Sequence, residues 1–186
     1  MTLADLRTEV LACTRCPLAA GRTNVVFGVG DPNADLMFVG EGPGAEEDKR
    51  GEPFVGRSGQ LLDRLMAEEI GTDRQHTYIA NVVKCRPPGN RDPHPAEIES
   101  CRPYLEQQVA LIKPKVVVTL GNFATQLLLD TTDGIRKVRG KVYPFMNGAV
   151  LVPTYHPAAA LRGGNTVLAE MRADFVRAKQ ELARSC

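Results

Sequence analysis

The chain has 186 residues with 43% hydrophobic and 24% charged content and a formal net charge of +1. That suits one ordinary globular domain with a substantial core. It excludes a strongly basic global field as the means of binding nucleic acid, and no apolar run approaches the roughly 20 residues that a membrane span requires.

In chain order, the first element is a helix carrying Leu3, Leu6, Val10 and Leu11 at helical spacing, in a stretch without a signal-peptide core. An intracellular protein is therefore expected. A short strand is predicted at "NVVFG" (24–28) and a stronger one at "DLMFV" (35–39). A glycine-rich, acidic loop follows, and then a helix striped by Leu61, Leu62, Leu65 and Met66. "TYIANVV" (77–83), "KVVVTLG" (115–121) and "AVLVPTY" (149–155) complete four main strands. Helices fall between or after them at 96–112, at "FATQLLLD" (123–130) and at 166–184, and "NG" at 147–148 marks a hairpin turn. Continuous apolar runs suit strands covered on both faces, so the pattern predicts an α/β architecture with a largely parallel sheet. Two local basic clusters stand out: Lys84, Arg86, Arg91 and Arg102, then Arg136, Lys137, Arg139 and Lys141. Each reads equally well as a phosphate contact or as a solvated face.

The loop "GEGPGAEEDKRGEPFVGRSG" (40–59) contains two look-alikes of phosphate-binding loops. "GEGPGA" fits the dinucleotide pattern and follows a strand, but Pro43 and the acids Glu46, Glu47 and Asp48 interrupt where a helix should open at once. "GEPFVGRS" fits the nucleotide-triphosphate loop except that Arg57 replaces the lysine reaching the β/γ-phosphates. Flanking carboxylates would also repel phosphates. Glu41 instead follows a strand at the edge where open α/β sheets bind ligands. Gly42, beside Pro43, and Gly44 permit close backbone approach, and Phe54 offers a flat face to a planar ring, while Phe54 as a core residue with the acids as solvated loop stays open as the other reading.

Cysteines stand at 13, 16, 85, 101 and 186. Cys186, the last residue, is set aside as a frayed end. Cys13, Cys16, Cys85 and Cys101 are not expected to form disulfides inside a cell. Their irregular spacing suits a [4Fe–4S] cluster, which takes one thiolate per iron, but from the residues alone zinc or unliganded buried thiols also stay open.

"GEGPGAEEDKRGEPFVGRSGQLL", "NVVKCRPPGNRDP", "CRPYL" and "YHPAAALR" together resemble the motifs of the family 4 uracil-DNA glycosylases, the iron–sulfur members of their superfamily. The resemblance runs from Cys13 to about Arg162. It implies a single domain over residues 1–186: a three-layer α/β/α sandwich around a central, mainly parallel four-stranded sheet. It implies a monomer that removes uracil from single- or double-stranded DNA, leaving an abasic site, with a [4Fe–4S] cluster on Cys13, Cys16, Cys85 and Cys101. Phe54 matches the residue on which the extruded base stacks. Asn81 matches the asparagine that reads N3–H and O4, and His156 the histidine facing O2. Glu41, Gly42 and Pro43 match the loop that shapes the pocket. Family 1 enzymes have a water-activating aspartate where this chain has Gly42, so Glu41 and Glu47 are the candidate carboxylates. Glu47 is expected to orient water or stabilise the sugar cation, held by Asn90. Relatives often place a bulky wedge where this chain has Ala160; Leu161 is expected as the wedge and Arg162 as a phosphate contact. Two alternatives remain: a relative that traps uracil-DNA covalently through a histidine in an extra basic insert, which "CRPPGNRDPHPAEI" lacks, and an iron–sulfur nucleotide-binding or redox protein.

Overall fold

The computed structural model describes residues 1–185; Cys186 lies outside the described residues. The sheet has six strands rather than the expected four and is mixed, in the order β1-β3-β2-β4-β6-β5. β2 (Leu36–Gly40), β3 (Tyr78–Asn81), β4 (Val116–Leu120) and β6 (Val150–Thr154) are its inner members and run parallel to one another. β1 (Val29–Gly30) and β5 (Tyr143–Pro144) are two-residue antiparallel edges. Strands this short leave little unpaired edge for another chain to join. The expected strand at 24–28 is irregular chain; Val25, Val26 and Phe27 are buried there, and the Val26 amide donates to the Lys84 carbonyl at 2.7 Å. "NG" forms the predicted turn: Asn147 and Gly148 both have positive φ, 58° and 77°, and Ala149 N–H closes onto the Met146 carbonyl at 3.1 Å.

Alternate strand residues feed two cores. Met37, Val39, Ala80 and Val117 pack with α1 (Leu3–Leu11), α5 (Pro95–Ile112) and α6 (Asn122–Leu129). Leu36, Phe38, Ile79, Val118 and Val152 pack with α4 (Arg57–Leu65) and α9 (Asn165–Arg184). Both faces are covered, which is why the strands read as unbroken apolar runs. Short helices α2 (Leu18–Gly21), α3 (Ala45–Arg50), α7 (Ile135–Val138) and α8 (Pro157–Gly163) fill the connections.

The acidic run after Pro43 is helical rather than an interruption. Gly44 caps α3, its N–H donating to Glu47 Oε1 at 3.0 Å, and Glu46, Glu47 and Asp48 sit in the first turn, where the helix dipole favours negative charge. Asp48 turns inward and accepts from the Thr23 and Asn24 amides at 2.9 and 3.2 Å, tying the 22–24 segment to this helix.

Candidate active site

Three of the inner parallel strands end at one rim and deliver the site. β2 runs into the Glu41–Gly44 loop, β3 ends on Asn81, and β6 leads through Tyr155 to His156, which caps α8. Pairing brings Gly40 opposite Asn81, and the ladder continues past the strand ends through Val83 N–H to the Glu41 carbonyl at 3.1 Å. Beyond this rim lies a cleft of about 330 Å³. Glu41, Gly42, Pro43, Glu47, Phe54, Asn81, Asn90, His156 and Arg162 all line it, so residues spread over 122 positions of sequence share one cavity. Leu161 does not line it; it stands 46% exposed on α8 beside the rim.

Phe54 is held in a left-handed conformation, φ 53°, which is strained for an aromatic residue. Two contacts impose it. Arg74 donates to the carbonyls of Pro53 (2.8 Å) and Phe54 and bonds Asp63 of α4 at 2.6 Å. Gly59 brings the α4 backbone against the Phe54 carbonyl so tightly that a Cβ there would lie 1.7 Å from its oxygen. The ring then stands 5.6 Å from the His156 ring, centroid to centroid. Gly40 separates it from Asn81: a Cβ on Gly40 would fall 2.5 Å from Phe54 Cζ and 2.6 Å from Asn81 Oδ1.

Asn81 is 2% exposed, and its Oδ1 is the one buried side-chain polar atom without a hydrogen-bond partner among the described residues. Leaving such an acceptor unpaired costs roughly 1–3 kcal/mol. A ligand N–H would recover that cost, which makes Oδ1 a candidate binding atom. His156 Nδ1 accepts from the Ala158 amide at 3.1 Å, leaving Nε2 as the ring atom that carries the proton. Burial, with the Arg162 charge adding to it against Glu47, lowers His156 to about 4. The ring is therefore a neutral donor at physiological pH.

The carboxylates differ. Glu47 accepts three backbone amides, from Gly44 at 3.0 Å, Val55 at 2.9 Å and Gly56 at 2.9 Å, and so ties the two glycine-rich turns together. The expected Glu47–Asn90 bond does not form. Asn90, in a tight turn with φ 56°, accepts instead from Arg86 Nε at 2.7 Å. Burial, reinforced by Asp92, raises Glu41 above the usual carboxylate range.

Most of the first basic cluster is not a free surface patch. Lys84 is buried, Arg91 forms a two-point pair with Glu97 (2.8 and 2.9 Å), and Arg102 pairs with Glu99 and Glu106. In the second, Arg139 is committed to Asp174 and Glu170, and Lys137 to Asp133.

A second cavity lies behind Asn81, lined by Cys13, Cys16, Cys85 and Cys101 together with Arg22, Lys84 and Tyr104. Arg22 donates to the Cys13 carbonyl at 2.6 Å and to Cys85 Sγ at 3.5 Å. Burial raises Cys85, against Arg22, and pushes Cys101 up to about 11, against Lys84, so burial disfavours their thiolate forms. No three His, Cys, Asp or Glu side chains among the described residues converge tightly enough for a single ion. Four cysteines lining one cavity are a donor set that fits a cluster taking one thiolate per iron.

Sequence reasoning missed Arg74 and Lys84 as site residues. Neither had a local signal: Arg74 lies in a polar loop, and Lys84 counted as one surface charge among several.

A model of the uracil DNA glycosylase superfamily matches residues 27–183. A protein of Sulfurisphaera tokodaii named type-4 uracil-DNA glycosylase is 47% identical over 88% of this chain and 78% of its own length. Proteins of the same name from Thermotoga maritima (48% identical, 86% of this chain, 83% of its own) and Archaeoglobus fulgidus (46%, 86%, 83%) are similar. A type-5 uracil-DNA glycosylase of Thermus thermophilus is 32% identical over 78% of this chain and 82% of its own length.

Proposed function

Because this chain belongs to the uracil-DNA glycosylase superfamily, in its type-4 group, we propose that it extrudes uracil from DNA into the Phe54–Asn81–His156 cleft and hydrolyses the glycosidic bond. The observation that carries this reading is the unpaired, buried Asn81 Oδ1 facing the Phe54 ring. Uracil stacked on Phe54 offers N3–H to Oδ1 and O4 to the Asn81 amide N–H. Cytosine has an acceptor at N3 and a donor at position 4, so both contacts fail, costing on the order of 1–3 kcal/mol per unsatisfied group.

As the bond to C1′ breaks, negative charge grows on the base, chiefly at O2. His156 Nε2–H supplies a neutral donor there, favouring the transition state over the bound substrate. The sugar becomes cation-like. Glu47 is fixed by its three amides, and Oε1, which accepts only the Gly44 N–H, keeps a lone pair for water. Glu47 thus orients the nucleophile or stabilises the cation, Glu41 with Gly42 and Pro43 shapes the pocket, and Asn90 acts through Arg86 rather than through Glu47. At the rim Leu161 is the wedge that fills the vacated stack and Arg162 a phosphate contact.

Cys13, Cys16, Cys85 and Cys101 would hold a [4Fe–4S] cluster. When bound it supplies a structural cross-link between the N-terminal segment, the loop after Asn81 and α5. The protein acts as one domain and as a monomer on DNA inside the cell.

The test is incubation with a uracil-containing single strand followed by alkali. Strand breaks exceeding the enzyme in number are expected. A stable protein–DNA adduct would instead mark a trapping relative. Neither breaks nor adduct, with nucleotide affinity, would mark a binding or redox protein.

A further inference from the structure

Lys84 ranks among the largest wholly buried side chains, at 1% exposure. Its Nζ donates to the main-chain carbonyl of Asn81 at 2.8 Å and to Gln108 Oε1 at 2.5 Å. Gln108 is itself anchored, its Nε2 donating to the Phe27 carbonyl at 2.8 Å and to Tyr78 Oη at 3.5 Å. Both Lys84 partners are neutral, and no ion pair to Lys84 forms among the described residues. A buried ammonium without a counter-charge is costly. On its other side Lys84 lines the sulfur cavity together with Cys101. The residue therefore spans the gap between the base-reading strand end and the four thiols.

We propose that Lys84 is a positioning residue that couples the sulfur site to the base-reading pocket: its ammonium is the counter-charge of the thiolate-ligated cluster and, through the same nitrogen, holds the Asn81 carbonyl in place. The inference rests on the cluster reading above. Four thiolates outweigh the positive charge of an oxidised cluster core, so the assembly is anionic and supplies the partner that the protein's carboxylates do not. A merely structural lysine would fill space and nothing more. A counter-charge also tunes the cluster, because a nearby cation favours the more negative, reduced state.

The experiment uses holoprotein, checked by its visible absorption, with two readouts: the cluster's reduction potential by voltammetry and single-turnover release of uracil from a single strand. Lys84→Met should shift the potential to more negative values and slow uracil release at least about tenfold, the cost of roughly one lost hydrogen bond to a charged group. Gln108→Leu keeps the ammonium but frees its other anchor; it should slow release while leaving the potential near wild type. If Lys84→Met does not accumulate with its cluster, Gln108→Glu gives the second measurement. A carboxylate set against the ammonium should also drive the potential negative. An unshifted potential in either charge variant, or wild-type release by Lys84→Met, overturns the proposal. A wild-type protein that releases uracil but shows neither visible absorption nor a redox couple overturns it too. That result removes the cluster reading while leaving the glycosylase reading intact.

Discussion

Asn81, the residue proposed to read the base, shows how such a role differs from a stabilising one. Its Oδ1 is buried and unpaired, so the folded protein is less stable for carrying it. Asn81→Ala should therefore leave the melting temperature within a few degrees of wild type while cutting single-turnover uracil release about 100-fold, from the loss of two hydrogen bonds. Melting and rapid-quench kinetics on the same preparation check both halves. His156 carries a pH signature. Its folded value near 4 lies below the ordinary 6.5, so the unfolded chain binds the extra proton between those values. The stability this contributes is whole above pH 6.5 and drains away as pH falls towards 4, by up to about 3 kcal/mol. Denaturant unfolding at pH 7 and pH 4.5 should show this loss in wild type and a smaller one in His156→Gln. Both residues were legible only through the resemblance of their motifs to a family; the unpaired Oδ1 and the ring's tautomer were not, since they depend on how the folded backbone and side chains meet.

At the scale of elements, the Phe54 turn is built from outside. Phe54 is strained, and the chain on either side supplies no reason for it to hold that shape. Arg74, 20 residues on, clamps its carbonyl, and Gly59 lets α4 close against the same oxygen. Arg74→Ala should weaken binding of uracil-containing DNA about tenfold as the ring loses its fixed pose, with a smaller effect on the rate once bound. A KM that rises while kcat holds would bear this out; a fall in kcat alone would not. Helix α3 makes a related point. Its acids look like a loop in sequence because Pro43 and four glycines, at 40, 42, 44 and 51, surround them, yet Gly44 and Glu47 form a cap that starts the helix. Capping of this kind reads as a helix start only once the chain direction after the strand is known.

The whole molecule places the thiols. Cys13 and Cys16 lie just beyond α1, Cys85 follows β3, and Cys101 is on α5, so a group held by all four would join segments that also meet through Leu6 and Val10 against α5, the Arg22 bonds to Cys13 and Cys85, and Arg15 over the Tyr104 ring. Cys101→Ser should abolish visible absorption, lower the melting temperature and reduce uracil release together, because the loop after Asn81 loses its fastening. Retained activity with absorption gone would separate the cluster from the pocket. The basic clusters also belong to this scale. Some of the charges that count as a patch in sequence are drawn by folding into ion pairs, as Arg91, Arg102, Lys137 and Arg139 are, and Lys84 is drawn into the interior.

The sequence alone determined the inner strands, the two long helices and the hairpin, because each depends on local periodicity or on turn residues within a few positions, whereas the residues proposed for the cleft came from a resemblance of whole motifs to a family. Tertiary structure alone decided the two edge strands, the amide cradle around Glu47, the bond of Asn90 to Arg86 and the inward turn of Lys84. Those outcomes turn on which groups meet across the sheet and which are thereby cut off from water, a matter of distance in space that spacing along a chain does not encode.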